Sequence, residues 1–246
     1  MGASYHEARA LTAPRPTAVL IDVGFTLTFW DGARIAGHAA RAGVTVAPDA
    51  IERAEALVRT DMRELENRPM RTHDDGGDQF LGGIFARLLR ASKVDSDAET
   101  LVRAARLIHA EYLKQNVWRR VGAGNRGALE RLRAGGFRMA VVSNSEGTVE
   151  AMLEDVGLRP FFETVVDSAV VGSVKPDATI FRIALDRLGL APADAIMVGD
   201  SPTADIHGAH AVGISSALVD PLDLYPWIPA PRFRDLAAFA TALLEI

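Results

Sequence analysis

Short, nearly continuous apolar runs recur along the chain and predict buried β-strands. They lie at residues 17–23, 137–142, 164–166, 195–198 and 216–219. Such runs are typical of parallel strands that are covered by helices on both faces. Segments with the period of an amphipathic helix lie between them, at 148–156 and 178–188, and are followed by Gly157 and Gly189 as helix stops. Strands that alternate with helices predict an α/β fold with a doubly wound, mainly parallel sheet.

A long stretch without any strand signal separates the first apolar run from the second. Three apolar stripes of helical period follow one another there, at residues 51–65, 80–88 and 101–112. With a shorter helix near 33–41, they predict about four helices in this insertion. We therefore expect a helical cap domain at 33–117, inserted into an α/β core domain at 1–32 and 118–246.

The composition narrows the class of protein. Apolar residues make up 48% and charged residues 24% of the chain, as in folded globular proteins. The net charge is −5 and no stretch is strongly basic, so we expect no nucleic-acid partner. The lack of cysteine excludes disulfides and zinc–thiolate sites. No run of about 18 apolar residues occurs, so we expect a cytoplasmic protein with no membrane partner.

Polar side chains stand at or just after the carboxyl ends of the predicted strands, where an α/β sheet binds its ligands. They are Asp22, Ser143, Asn144, Lys175 and Asp200, with Asp205 shortly after. Each alone is typical of a helix cap, a turn or a solvated charge. Because a parallel sheet gathers these ends on one edge, we expect carboxylates and an ammonium to share one site. Such a site suits phosphoryl chemistry, since paired carboxylates bind Mg²⁺ and a carboxylate is able to attack phosphorus.

The motifs around these residues resemble those of the haloacid dehalogenase-like (HAD) hydrolases, most of which are phosphatases. The first family motif, Asp-x-Asp-x-Thr after an apolar strand, is similar to AVLIDVGFT except at the second Asp. The later motifs are similar to MAVVSN, to GSVKPDATIF with its lysine, and to VGDSPTAD. Their order resembles the family pattern with a helical cap between the first two motifs. The resemblance covers nearly the whole chain and implies a Rossmann-like core.

This resemblance implies a phosphatase site that acts on a small phosphorylated molecule. Asp22 would be the nucleophile, and Lys175 would neutralise charge. Ser143 and the backbone of Asn144 would hold the phosphoryl group. The identity of the substrate and the oligomeric state are left open.

The same resemblance implies Mg²⁺ as the cofactor. Asp22 and Asp200 would bind the ion, with Asp200 acting directly or through water. The backbone carbonyl of Gly24 would add a further contact. Asp205 would belong to this metal group by orienting Asp200, a metal-bound water or Lys175.

Gly24 is the one departure from the phosphatase pattern. In the family's phosphatases, the second Asp of the first motif protonates the leaving oxygen and then deprotonates the attacking water. Glycine has no acid, and general acid–base assistance is typically worth about 10² to 10⁴ in rate. We therefore expect weak or specialised phosphatase activity. The run RTHDDGGD offers four substitutes for the missing acid, although we interpret it as a solvated loop: His73, Asp74, Asp75 and Asp78.

Two alternative functions follow from the same departure. A 2-haloacid dehalogenase also lacks the second Asp but needs an arginine early in the cap, for which Arg34 and Arg53 are candidates. That branch usually lacks the Gly-Asp of the fourth motif, which is present here. A catalytically impaired phosphate-binding or regulatory protein would keep the ligand-holding groups and lose turnover.

Two further patterns imitate binding sites. The run GAGNRG at 122–127 matches a dinucleotide fingerprint, but the polar residues 114–120 before it do not predict the buried strand that such a site requires. We assign its glycines to the return linker and to the start of the next helix. His207 and His210 lie three residues apart in a predicted helix after Asp205, and we interpret them as surface histidines rather than metal ligands.

Overall fold

The computed structural model describes residues 15–66 and 77–246, apart from the side chains of 61–66 and 77–82. The chain divides into two compact units, Met1–Phe29 with Val121–Ile246 and Trp30–Arg120. The range 33–117 predicted for the helical domain lies inside the second unit. The function of that unit as a cap stays a prediction.

The strands are β1 (Ala18–Ile21), β2 (Thr28–Trp30), β3 (Trp118–Val121), β4 (Arg138–Ser143), β5 (Thr164–Asp167), β6 (Ala195–Gly199), β7 (Ser215–Val219) and β8 (Arg232–Phe233). The helices are α1 (Gly32–Arg41), α2 (Pro48–Glu66), α3 (Gly77–Ala91), α4 (Ala98–Tyr112), α5 (Asn125–Ala134), α6 (Val149–Asp155), α7 (Ser168–Val171), α8 (Ala178–Leu188), α9 (Gly208–His210) and α10 (Leu236–Leu244). No helix among the described residues is long and apolar enough to cross a membrane.

A six-stranded sheet forms the centre of the first unit, in the order β5-β4-β1-β6-β7-β8. Every neighbouring pair of its strands is parallel. This arrangement confirms the predicted doubly wound α/β class. The chain leaves β1 for β4 on one side and leaves β6 for β7 on the other, so the strand order reverses between β1 and β6. In open α/β sheets, ligands bind at the carboxyl ends of the strands beside such a reversal.

The apolar run of β1 is continuous because both faces of the strand are covered. Val19 and Ile21 lie in a buried cluster with residues of α5, α6 and α10. Ala18 and Leu20 point to the opposite face and lie in a second cluster with residues of α8. Successive side chains of a strand alternate between the two faces, so burial on both sides requires apolar residues at every position.

The second unit contains α1 to α4, the helices that its apolar stripes predict. Buried side chains from these helices form its interior, among them Ile35, Ile51, Phe85 and Ile108. Asp97 caps α4, and its side chain accepts a hydrogen bond from the Thr100 amide at 2.8 Å.

Several short elements were not predicted from the sequence. β2 and β3 pair with each other in a separate two-stranded sheet, and β8 is a two-residue edge strand. A strand does precede GAGNRG, since β3 ends at Val121, but it is only half-buried. The expectation that no buried strand stands there, as a dinucleotide site would need, is therefore confirmed. Gly124, at φ +78°, is the N-cap of α5, which confirms the linker interpretation of these glycines.

Candidate active site

Asp22 follows β1 directly and is almost fully buried at the carboxyl edge of the sheet. Its backbone N–H donates to the carbonyl of Val198 in β6 at 3.0 Å, so the residue continues the sheet pairing by one position. The register pairs Ile21 with Val141 in β4 and with Val198 in β6. Ser143 and Gly199 therefore end their strands on either side of Asp22, as the strand-end argument predicted.

Lys175 is the centre of a buried hydrogen-bond network. Its Nζ donates to Oδ1 of Asp22 at 2.6 Å, to Oδ1 of Asp205 at 2.6 Å and to the carbonyl of Val142 at 2.8 Å. A lysine ammonium has three donors, and these three acceptors use all of them. Lys175 therefore orients both carboxylates. In this arrangement it acts on a bound anion through its positive charge rather than through a hydrogen bond.

Asp22 and Lys175 are the two principal charges of this network, and each changes the pKa of the other. Burial raises the pKa of Asp22 to about 6, against the opposing charge of Lys175 and with a further raising contribution from Asp205. Burial acts to lower the pKa of Lys175, but the carboxylates of Asp205 and Asp22 raise it above its ordinary value. At neutral pH, Asp22 is thus mostly ionised and Lys175 is protonated.

Asp205 has both carboxylate oxygens engaged by the protein. Oδ1 accepts from Lys175, and Oδ2 accepts from the backbone N–H of Ser201 at 3.0 Å. The residue lies in a π-helical segment, Pro202–His207, that begins directly after the Ser201 cap. Asp205 is 1% exposed, so its carboxylate is held in place from both sides.

Gly199 makes this position of Asp205 sterically feasible. A Cβ atom at residue 199 would lie 2.1 Å from Oδ2 of Asp205, a distance that real contacts do not reach. Asp205 cannot turn aside without losing its hydrogen bonds to Lys175 and Ser201. The glycine of the Gly-Asp motif is therefore required by the close approach of a buried carboxylate.

We expect Gly199→Ala to lower the free energy of unfolding by about 1 to 3 kcal/mol, the usual cost of inserting a methyl group into a packed site. Urea unfolding in the presence of EDTA measures this loss without a contribution from metal binding. Gly127→Ala is the matched control, because a Cβ there meets nothing within 4 Å and lies in α5. That control should be neutral or stabilising, by up to about 1 kcal/mol. A Gly199→Ala protein as stable as the wild type would contradict the steric account.

A group of acidic oxygens suited to a cation lies at the same edge of the sheet. Asp22, Asp200 and Asp205 each offer a carboxylate oxygen, and these atoms lie within 4.8 Å of one another. Three carboxylates beside the single ammonium of Lys175 leave a net charge of −2. Hard oxygen donors and this charge fit Mg²⁺. Both oxygens of Asp205 are already hydrogen-bonded to the protein, so Asp205 is better suited to holding Lys175 than to direct contact with a cation.

The side chain of Asn144 connects two of the predicted motifs. Its Nδ2 donates to the carbonyl of Lys175 at 2.9 Å, and its Oδ1 accepts from the backbone N–H of Lys175 at 2.7 Å. The sequence assigned only the backbone of Asn144 to the site and missed this function. Lys175 lies in the segment before α8, which begins at Ala178 behind the Asp177 cap.

Gly24 lies two residues after Asp22 and is half-buried. It is not one of the described glycines with a positive φ, whereas the following residue, Phe25, has φ 53°. The backbone at residue 24 therefore does not itself require glycine. A side chain at this position is compatible with the local conformation.

His207 and His210 do not belong to the acidic group of Asp22, Asp200 and Asp205. His207 is exposed at the end of the π-helical segment, and Nε2 of His210 lies 2.9 Å from the hydroxyl of Ser216. The two histidines do not share one helix after Asp205, because His207 ends the π-helical segment that contains Asp205 and His210 ends α9. Within the described residues, the group with metal-ligating spacing includes neither histidine.

The candidate arginines of the helical unit take part in local contacts. Arg34 lies 3.8 Å from the carboxylate of Asp31 and also donates to Gln115. Arg53 forms an exposed ion pair with Asp49 one helical turn away. The substitute acids His73, Asp74 and Asp75 lie outside the described residues, and the side chain of Asp78 is not described either.

Two residues of the site region were missed in the sequence. Asp167 ends β5 and Ser168 follows it, in the same way as Ser143 ends β4 and Asn144 follows that strand. Both side chains are buried and bond to the backbone of the loop after β4. The strand-end argument that identified Ser143 would have found them, because β5 was predicted.

Comparisons with known proteins bear on the class of protein to which this chain belongs. Residues 60–219 match the family model of haloacid dehalogenase-like hydrolases. The chain is similar to haloacid dehalogenase-like hydrolase domain-containing protein 3 of Mus musculus, with 39% identity over 130 residues, or 52% of this chain and 51% of that protein. The chain thus spans about half the length of this curated relative.

A second relative and a solved structure extend the comparison. Phosphoglycolate phosphatase of Rhodospirillum rubrum is 34% identical over 165 residues, or 65% of this chain and 67% of that protein. The crystal structure of a HAD phosphatase from Thermococcus onnurineus has a TM-score of 0.59 at 22% identity. It covers 92% of this chain and 97% of its own, and this likeness shows a shared fold.

Proposed function

Because this chain belongs to the haloacid dehalogenase-like hydrolases, we propose that it is a Mg²⁺-dependent phosphatase that acts on a small phosphomonoester through an aspartyl-phosphate on Asp22. The observation that carries the proposal is the buried contact of Lys175 with Asp22 and Asp205, beside the carboxylate of Asp200. Similarity to a protein named phosphoglycolate phosphatase supports the substrate class. We further propose that the helical unit, Trp30–Arg120, is the cap that selects the substrate.

Asp22 and Asp200, together with the backbone carbonyl of Gly24, would hold Mg²⁺. When bound, the ion would offset negative charge on a phosphoryl group. Asp205 would act next to this set, by holding Lys175 in place. Lys175 would balance the charge of Asp22 and hold its Oδ1 by a hydrogen bond, and we therefore assign the attack to Oδ2.

The proposed reaction has two balanced steps. The Asp22 carboxylate attacks phosphorus, a bond from Oδ2 to phosphorus forms, and the bond from phosphorus to the leaving oxygen breaks. Water then attacks the same phosphorus, the bond from Oδ2 of Asp22 to phosphorus breaks, and the carboxylate is restored as inorganic phosphate leaves with both protons of the water. Gly24 offers no proton to the leaving oxygen, so that proton comes from solvent or from the substrate itself.

The dehalogenase alternative lacks a supporting observation among the described residues. Arg34 and Arg53 are engaged by neighbouring side chains, and the acidic oxygens that suit a cation are present. The lack of an acid at Gly24 favours the third function, a catalytically impaired phosphate-binding or regulatory protein. Such a protein would bind the ligand without turning it over. A panel of phosphomonoesters and 2-haloacids, assayed with and without Mg²⁺, separates the three functions. Phosphate release that needs Mg²⁺ supports the phosphatase, halide release the dehalogenase, and binding without turnover the impaired protein.

Chelation and loss of Asp200 should affect the same step. We expect EDTA to abolish phosphate release, and Asp200→Ala to raise the Mg²⁺ concentration for half-maximal rate by about 10- to 100-fold, since one carboxylate ligand is lost. The measurement is the initial rate against Mg²⁺ concentration. Asp186→Asn, at an exposed position of α8, is the charge-matched control and should behave as the wild type. Full activity after rigorous chelation would reject the metal assignment.

A further inference from the structure

The loop that follows β4, residues 143–149, is tied to the end of β5 by two buried side chains. The carboxylate of Asp167 accepts from the N–H of Gly147 at 3.0 Å and from that of Val149 at 3.3 Å. The hydroxyl of Ser168 accepts from the N–H of Ser145 at 2.9 Å and donates to its carbonyl at 3.0 Å. Every second amide of the loop, from residue 145 to residue 149, is therefore held from one side.

These hydrogen bonds involve the later residues of the loop, and the proposed contacts to a ligand lie at its start. Ser143, which carries the proposed phosphoryl contact, pairs with Asp167 in the register of β4 and β5, and the first tied amide follows two residues later, at Ser145. The amides of 145, 147 and 149 donate to Ser168 and Asp167, so these three are not available to an anion, which in the proposed function contacts the Ser143 hydroxyl and the Asn144 amide. Gly147 has φ +84°, the left-handed conformation that lets the loop turn back toward α7.

The hydrogen bonds that Asp167 accepts explain why a charged side chain stands at this position. It is 3% exposed and also accepts from the N–H of Ala169 at 3.0 Å, so three backbone donors surround it. Hydrogen bonds to an ionised acceptor are stronger than neutral ones. Opening the loop would remove two of these donors from a buried charge, which is unfavourable. The loop is thus held in one conformation before any ligand arrives.

We propose that Asp167 and Ser168 are positioning residues that preorganise the 143–149 loop for a phosphoryl group, an inference that rests on the proposed phosphatase function. A loop that is already ordered loses little conformational freedom when the anion binds, and this strengthens binding. Neither side chain contacts the substrate in this proposal. Their effect is transmitted through the backbone to Ser143 and Asn144.

The sharpest test compares Ser168→Thr with Ser168→Val. Both variants add bulk at a buried position, but only threonine keeps the hydroxyl that bonds the backbone of Ser145. We expect Ser168→Val, which loses both hydrogen bonds between the Ser168 hydroxyl and Ser145, to raise the inhibition constant of inorganic phosphate and the KM for p-nitrophenyl phosphate by about tenfold relative to Ser168→Thr. The change in kcat should be smaller, because the nucleophile is untouched.

Asp167→Asn is the second variant, and Asp220→Asn is its control. Asp220 is equally buried at the end of β7 and accepts from the amides of Leu224 and Tyr225, but its loop carries no proposed site residue. Both variants should lose stability, and only Asp167→Asn should weaken phosphate binding. Hydrogen exchange without ligand gives a readout independent of activity, since Ser168→Val should speed exchange of the Ser145 amide.

The outcomes separate the two proposals. A wild-type protein that neither binds inorganic phosphate nor hydrolyses the ester overturns the proposed function, and the phosphoryl role of the loop with it. A wild-type protein that does both, with threonine and valine variants of equal KM and equal exchange, overturns only the positioning role. The Thr and Val pair decides the question even when Asp167→Asn does not fold.

Discussion

Replacing Asp22 by Asn should reduce phosphate release by at least about 10⁴-fold, because the covalent route loses its nucleophile. An amide is a poor nucleophile and also removes one negative ligand from the proposed Mg²⁺ site. The rate with p-nitrophenyl phosphate and Mg²⁺ measures the loss. Mass spectrometry of quenched reactions should detect a phosphoryl group on the peptide that contains Asp22 in the wild type and not in the variant.

The stability of the Asp22→Asn protein, which is the folding control, is also expected to change in a definite direction. Burial raises the pKa of Asp22 from 3.8 to about 6, so the folded protein holds this proton more tightly than the unfolded chain. The stability that this group contributes is therefore present at low pH and is lost as the pH rises through that interval. In EDTA, the Asn variant should lack this loss and should be at least as stable as the wild type at neutral pH.

Two results would contradict the assignment of Asp22 as nucleophile. One is unchanged turnover in a folded Asp22→Asn protein. The other is a phosphoryl group on a different peptide of the wild-type chain. Asp186→Asn provides the matched control, since it makes the same chemical change at an exposed position of α8 and should leave turnover unaltered.

The unmodified protein should hydrolyse aryl phosphates much better than alkyl phosphates. Gly24 keeps a backbone carbonyl but has no proton to donate, so the barrier should rise with the basicity of the leaving oxygen. We therefore expect a steep dependence of the chemical-step rate on the leaving-group pKa. Gly24→Asp should selectively improve the alkyl substrates, by roughly 10²-fold, the lower end of general acid–base effects.

Gly24→Asn is the matched control for this gain. Asn has nearly the same shape as Asp but carries no acidic proton, and the backbone at residue 24 does not have the positive φ that would exclude either side chain. An equal improvement by Asn and Asp would mean that the gain comes from packing. A shallow leaving-group dependence with efficient alkyl turnover would show that another group already supplies the proton. His73 and Asp74 would then be the first residues to replace.

Much of the architecture was determined by local pattern. The apolar runs predict β1, β4, β5, β6 and β7 to within about two residues, because strands buried on both faces leave little freedom in residue type. The helices α1 to α4 follow from their apolar stripes for a similar reason. β2, β3 and β8 were missed, since they are short and form through pairing with neighbouring segments rather than through a local pattern.

The sequence by itself also determined which residues stand at the carboxyl edge of the sheet. Once the order of parallel strands is set, Asp22, Ser143 and Asp200 have to follow their strands on the same side. Only the tertiary structure decided how they are connected. Lys175 bonds to Asp22 across 153 positions of the chain, and Asn144 uses its side chain on the Lys175 backbone. Hydrogen bonds depend on sub-ångström placement of segments far apart in sequence, and that placement arises only when the core packs.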